Sequence, residues 1–400
     1  MHKDINEDNK IDFKKIILGV QFLFVVFGAV VLVPILIGID PAVALFTAGV
    51  GTLLFHFITK LKIPVFLGSS FVFIAPIILA TKLYGYSGAL SGLFCIGILF
   101  VIMSIIVQKV GLKKVQLVFP NIVIGPVIMT IGLSLASTAV DMAQSDWLLA
   151  FASLLTAVIV VAFSKGVFKL LPVISGVSVG YILALILGRV DFTNLTQASW
   201  FSVPKFIFPT FSLGAILCLL PVAIAPIIEH IGDIYAISKV AKKDFTKDPG
   251  IHRTLLGDGL ATSLAALFGG PPNTTYSEVT GAISLTKITN PMILRISAVT
   301  AIVFAFIGKI SGFLETIPQA VLGGIMLLLF GMISSVGVKT LMDNKGNCDL
   351  TKTRNQLIIA VILSIGVGGA IVNYGTFSLG GIGLASICGV ILHLILPKSE

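Results

Sequence analysis

Apolar runs of about twenty residues follow one another along almost the whole chain, separated by short polar turns. A run of about 20 residues is what a helix needs to cross the hydrocarbon core of a bilayer. Such runs lie near 16–38, 42–59, 88–107, 116–138, 147–164, 169–187, 212–236, 253–269, 292–312, 316–335, 356–374 and 380–396, which gives twelve ordinary spans. Two further segments, 64–81 and 271–290, are apolar but interrupted by Pro, Ser, Thr and Asn, and with them the count becomes fourteen. Composition agrees. Of 400 residues 56% are hydrophobic and only 11% charged, where a soluble domain carries about a quarter. A mean hydropathy of +1.07 leaves more apolar surface than an interior can hide. The expected class is an all-α polytopic membrane protein.

Charge placement tests the count. With the N-terminus in the cytoplasm and sides alternating across fourteen spans, only Lys82, Arg189, Lys205 and Lys309 of the 27 basic residues fall outside. Lys14, Lys15, Lys60, Lys62, Lys109, Lys113, Lys114, Lys239, Lys242, Lys243, Lys339 and Arg354 are among those inside, as the positive-inside rule demands. If either broken segment failed to cross, the bias would reverse beyond it. The net charge of +9 therefore reflects topology and not nucleic-acid binding. Residues 1–15 are hydrophilic and lack the apolar stretch of a cleavable leader. They are expected to be a cytoplasmic tail, with the C-terminus on the same side and the chain in the inner membrane.

The two broken segments hold matching places, each third in a set of seven spans. An odd number of spans per half inverts the second half relative to the first, and inverted repeats with interrupted helices at the midplane are a recurrent transporter design. The first segment runs Pro64 to Pro76 through Gly68-Ser69-Ser70-Phe71, and the second runs Gly269 to Gly281 through Asn273-Thr274-Thr275-Tyr276-Ser277-Glu278. Each puts a Pro-bounded extended stretch ahead of a helix-compatible run, so spans 3 and 10 are expected to be part strand, part half-helix. Side by side, the stretches could pair, and the half-helices would aim N–H groups at one point. Phe71 and Tyr276 would offer ring faces there.

Carboxylates narrow the reading. The chain has five glutamates, of which Glu7 and Glu400 are terminal and Glu315 sits near a span end. Glu229 lies deep in an apolar run, where an ionised carboxylate costs at least ~2.5 kcal/mol and marks function by default. Asp233, at i+4, shares its helical face, and neighbouring carboxylates can hold or relay a proton between them. Glu278 opens the second half-helix. Asp258, in the Gly-Asp-Gly break of the ninth span, is expected to hold a neighbouring segment in place. His230 points about 100° away from Glu229 and reads as a packing or hydrogen-bonding residue, as do His56 and His393 on apolar spans.

Other patterns point away from catalysis. Gly176-Val-Ser-Val-Gly180 fits the hydrolase pattern G-x-S-x-G, but inside a span with no strand before it the two glycines read as a helix-packing face, like Gly88 and Gly92. Cys95, Cys218, Cys348 and Cys388 form no metal spacing. With no P-loop or H-E-x-x-H present, neither an enzyme, a cofactor nor a metal is expected.

Gly68-Ser-Ser-Phe71, Glu229-His-Ile-Gly232 and Asn273-Thr-Thr-Tyr-Ser-Glu278 through Lys287 together resemble the nucleobase–ascorbate transporter family over nearly the whole chain. The resemblance implies fourteen spans in two inverted sevens. It implies a core domain at 16–110 and 206–312, a gate domain at 111–205 and 313–400, and a homodimer. It further implies a nucleobase and a proton as partners, moved by alternating access. Glu229 and Glu278 would meet ring N–H groups and backbone near Ser277 the carbonyls. Phe71, Tyr276, Ala29 and Phe330 would enclose the base. Proton coupling would centre on Glu229, with Asp233 and Asp258 beside it. Two departures stand out: Asp233 replaces the second His usual in uracil permeases, and Val279 replaces an Asn. Thr-Thr-Tyr-x-Glu looks like the pyrimidine branch, so uracil is the expected substrate and xanthine or another purine the alternative. An anion exchanger of the sulfate-permease kind is similar in architecture but has little need of glutamates at its site.

Overall fold

The computed structural model describes residues 12–26, 28–111, 120–165, 169, 171–342, 349–374 and 377–397. Residues 1–11, Lys113, Lys114, Cys348 and Glu400 lie outside the described residues, as do the side chains of Ala29 and Ser277.

The first apolar run becomes α1 (Phe13–Val25), a π-helical turn (Gly28–Leu32) and α2 (Val33–Ile37). Then comes α3 (Pro41–Ile58), capped by the Asp40 carboxylate, which accepts from the Ala42 N–H at 2.9 Å. The first broken segment forms β1 (Leu67–Ser69), one 3-10 turn (Phe71–Phe73) and α4 (Ile74–Val110). Gly85 interrupts α4 with φ 72° and ψ 160°, a conformation only glycine takes without strain. It thereby divides the half-helix from the long helix that follows.

After α5 (Asn121–Ala143), α6 (Trp147–Phe163), α7 (Pro172–Ile186) and the short α8 (Thr193–Gln197), an extended strap covers 198–212. Next come α9 (Leu213–Leu219), a 3-10 turn, α10 (Ile224–Ala241) and α11 (Ile251–Leu267). The second broken segment gives β2 (Asn273–Thr275) and α12 (Ser277–Thr286). The chain ends through α13 (Pro291–Ala305), α14 (Gly308–Glu315), α15 (Gln319–Met342), α16 (Thr353–Val367), β3 (Ile371–Tyr374), β4 (Phe377–Gly380) and α17 (Gly381–Ile395).

Among the described residues, five helical stretches are long and apolar enough to cross a bilayer alone, or six with α1 and α2 taken as one. Five more, α6, α7, α13, α16 and α17, are apolar but shorter. Two expectations need correcting. The run 292–312 is not one span, because the extended backbone at Ile307 ends one helix and starts the separate α14. The all-α reading is also incomplete beyond 367. There Gly368 and Gly369 (φ 63°) end α16, and β3 and β4 pair as an antiparallel hairpin. Glycine past a helix end releases the chain, and the β-branched Ile371 and Val372 favour the strand that follows.

The helices pack in two groups. In the first, α3 lies on α11 and α13, α4 on α9 and α11, and α1 on α13. In the second, α5 lies on α15, α16 and α17, α6 on α7 and α15, and α16 on α17. Glycines make the closest contacts. A Cβ added at Gly97 of α4 would stand 2.4 Å from the Gly259 carbonyl oxygen of α11. At Gly176 it would stand 2.6 Å from the Ser153 carbonyl oxygen, and at Gly180 2.8 Å from Val321. The hydrolase-like motif is thus the face by which α7 packs on α6 and α15.

Candidate functional site

β1 and β2 run antiparallel, with Leu67 opposite Thr275, Gly68 opposite Thr274 and Ser69 opposite Asn273. Backbone away from a helix survives at membrane depth only where protein or trapped water satisfies it. Here the two segments satisfy each other, extended by the Ser70 N–H to the Pro272 carbonyl at 2.9 Å. Neighbouring helices complete the edges. Thr52 Oγ1 accepts from the Leu67 N–H at 2.9 Å, Thr262 Oγ1 donates to the Asn273 carbonyl at 2.7 Å, and Asn273 Nδ2 donates to the Thr47 carbonyl at 2.8 Å. His56 Nε2 lies 2.7 Å from the Val65 carbonyl and fixes the stretch leading into β1.

Each strand passes directly into a helix. Whereas α1, α3, α6, α9 and α13 open on a side chain that caps them, neither half-helix has a side-chain cap. Their first N–H groups lie at the positive end of the helix dipole, and in α12 the Glu278 carboxylate accepts from its own backbone N–H. Phe71 and Tyr276 stand at these openings, mostly buried, with ring centroids 6.1 Å apart and planes 31° from parallel. Ser277 is the first residue of α12.

The carboxylates come from two helices in contact, α10 and α12. Glu229 is half-buried and Glu278 exposed. One turn beyond each is a glycine, Gly232 and Gly281, where an added Cβ would meet nothing within 4 Å. Both helices thus turn a Glu-x-x-Gly stripe toward open space. Asp233, Asp258 and Glu278 all lie near enough to act on the charge of Glu229.

Behind this face sits a buried network. Asp233 Oδ2 accepts from Thr275 Oγ1 at 2.9 Å, and Asp258 Oδ2 accepts from Thr274 Oγ1 at 3.3 Å. His230 joins them. Its Nε2 lies 2.8 Å from Thr254 Oγ1, and its Nδ1 lies 3.1 Å from Asp258 Oδ2 and 3.4 Å from Thr275 Oγ1. β2 is thereby tied to α10 and α11 at both of its threonines. The sequence reading of His230 as a packing or hydrogen-bonding residue understates it: this ring is the hub of three elements. Its place about 100° around the helix from Glu229 put it off the carboxylate face, and nothing in the sequence pointed to its partners.

The strand crossing therefore brings together Phe71, Tyr276 and Glu278, with Glu229, Asp233 and Asp258 around β2. Phe330 belongs elsewhere. It is fully buried on α15, where its backbone faces Gly132 of α5 in the second helix group. Ala29 lies in the π-helical turn after α1.

Two helix groups around a crossing of paired strands and uncapped half-helices constitute a membrane-transporter fold. The structure superposes on the transmembrane domain of a cyanobacterium bicarbonate transporter, BicA, with TM-score 0.62 and 16% identity, covering 96% of this chain and 99% of that one. It superposes on SLC26A9 with TM-score 0.72 and 11% identity, over 95% of this chain and 64% of that one. At such identities the likeness concerns the fold alone.

Sequence then fixes the family. The Xan_ur_permease profile, described as Permease family, matches residues 13–375, and the chain belongs to that family of transporters; it is not an enzyme. A Haemophilus influenzae protein named "Probable uracil permease" is 49% identical over 98% of this chain and 97% of its own length. The "Uracil permease" of Bacillus subtilis is 42% identical over 97% and 94%, and that of Escherichia coli K12 is 39% identical over 94% and 90%.

Proposed function

We propose that this chain is a uracil permease of the inner membrane, driving uptake by proton symport through alternating access. The observation that carries the substrate is near-full-length similarity, at 39–49% identity, to proteins named for uracil. The geometry suits the chemistry. A planar ring stacks on an outer face of the Phe71–Tyr276 pair, whose rings stand 6.1 Å apart, its N–H groups donate to Glu229 and Glu278, and its carbonyls accept from N–H groups near Ser277. Phe330, on α15 of the facing group, and Ala29, in the turn beside β1, border the base when the two groups close. The open Glu-x-x-Gly face is the route of release.

The topology we propose is fourteen spans in two inverted sevens, both termini cytoplasmic, working as a homodimer. Support comes from the packing, where contacts occur in mated pairs under a shift of seven spans. The contact of α3 with α13 is matched by that of α11 with α4, α1 with α13 by α9 with α4, and α6 with α15 by α16 with α5. That of α6 with α7 is matched by α16 with α17. Residues 16–110 and 206–312 form the core domain in this reading, and 111–205 and 313–400 the gate. Glu229 carries the proton, with Asp233 and Asp258 tuning it through Thr275, Thr274 and His230.

A purine such as xanthine is the second reading, favoured by Asp233 in the place of the second His usual in uracil permeases. Uptake of labelled uracil into proteoliposomes, competed by unlabelled uracil or xanthine with and without an uncoupler, is the test. Competition by xanthine but not uracil would reverse the substrate, and uptake indifferent to the uncoupler would remove the proton.

A further inference from the structure

A cavity of about 500 Å³ opens at the ends of α3 and α11 opposite Lys60, Lys62 and Arg253, and neither Glu229 nor Glu278 lines it. Its volume lies within the range of about 300–1,000 Å³ typical of small-molecule sites, and so does its character, an apolar wall with a few polar groups. Ile39, Val43 and Leu322 supply apolar wall, and Asn194, Glu315 and Gln319 are exposed at it.

Asp40, also at the rim, is already committed. Its Oδ1 accepts from Ser311 Oγ at 2.7 Å and the Ala42 N–H at 2.9 Å, and its Oδ2 from the Lys205 N–H at 3.4 Å. Lys205 belongs to the 198–212 strap. The strap is pinned by the Thr210 N–H to the Ser87 carbonyl at 2.9 Å and the Ser202 N–H to the Phe306 carbonyl at 3.1 Å. One wall is thus fixed to the first helix group. The opposite wall, Gln319 and Leu322 at the start of α15, belongs to the second. The cavity straddles the seam along which the groups would move.

We propose that this cavity is a loading site, where a planar solute with amide-type edges is held before it passes to the strand crossing. The inference rests on the uracil reading and its orientation, which put the cavity on the outer face. An amide side chain presents a donor beside an acceptor, and a cyclic imide presents the complement. Asn194 and Gln319 grip that edge, and the Glu315 carboxylate accepts a ring N–H. The cavity is roomy and open, so the hold is weak and exchange fast, as suits a first stop.

The experiment compares uracil kinetics in right-side-out and inside-out vesicles for wild type, Glu315→Ala, Gln319→Ala and Asn194→Ala. Each variant is expected to raise KM from the outer face by about 3–10-fold, the worth of one hydrogen bond, with maximal rate kept and inner-face KM unchanged. An outer-face KM unchanged from wild type in all three variants, or an equal rise at both faces, overturns the loading site alone. A wild type that carries no uracil overturns the substrate reading and this ligand with it. A second measurement separates the cavity from the centre. In Glu278→Gln, uracil should still slow labelling of Ile39→Cys, on the apolar wall, by a membrane-impermeant maleimide, and absence of protection overturns the site.

Discussion

The two broken segments are alike in architecture and unlike in chemistry. Both run from a three-residue strand into an uncapped half-helix, the first through a 3-10 turn, and both place an aromatic ring at the opening. Around β2, both threonines bond to buried carboxylates, and His230 meets the Asp258 carboxylate and the Thr275 hydroxyl. On the β1 side, the hydroxyls of Ser69 and Ser70 are buried with no protein partner. One segment anchors the titratable groups, and the other supplies backbone, a ring and a wall. A fold can thus repeat while its chemistry is concentrated on one side of the crossing.

The largest expected effect tests whether the charged side is where the proton works. Glu229→Gln leaves a neutral group in every state of the cycle. Concentrative uptake under an acid-outside gradient should vanish while exchange of labelled for unlabelled uracil persists in proteoliposomes. Full accumulation by this variant would move the proton to Asp233 or Asp258. Next, Glu278→Gln should weaken uracil by about 1.5–3 kcal/mol, the cost of a lost hydrogen bond to a charged group, read by equilibrium binding. Unchanged affinity would remove Glu278 from the site.

A matched pair of deletions sharpens the contrast between strands. Thr275→Val strips a donor from the buried Asp233 and should cost about 1–3 kcal/mol of thermal stability in detergent. Ser69→Ala removes a hydroxyl that lacks a partner and should be neutral or stabilising. Equal losses in the two would erase the asymmetry.

The smallest effect lies outside the membrane. Lys62 pairs with the exposed Asp248 and, by its hydrogen bond and charge, holds that carboxyl below its ordinary range. A lowered carboxylate pKa adds stability above the unfolded value and loses it as pH falls through the folded one. The slight difference in melting between wild type and Lys62→Ala should therefore be present at neutral pH and disappear in acid.

Much of this was legible beforehand because membranes impose length and charge rules on a sequence. Pro64 and Pro76 bracket the first broken segment and Pro271-Pro272 open the second; β1 lies between the first two, and β2 begins directly after the second pair. The register of three-residue strands was not legible, since such a strand is too short to show alternation. Nor was the role of His230, because a residue's neighbours across a helix interface are set by packing and not by spacing along its own helix. The hairpin after α16 was hidden because Ile371 and Val372 suit an apolar span as well as a strand, and only Gly368 and Gly369 separate the two readings. Glu229 and Glu278 could be picked out as candidates since carboxylates are so few in such a chain. The cavity near Glu315 could not, because its walls come from stretches distant in sequence.

The pairing of Leu67 with Thr275 also sets a problem of timing during synthesis. β1 leaves the ribosome about 200 residues before its partner exists, and at about 5–20 residues per second that interval is on the order of 10–40 s. Throughout it, the backbone of β1 has no strand to bond to, and bare peptide groups are not tolerated in lipid. The first half must therefore wait beside the insertion machinery, at the water interface or against another protein, until the second half arrives. Chains cut between α9 and β2 should be held there or degraded, and co-expressed halves should rescue each other by completing the strand pair.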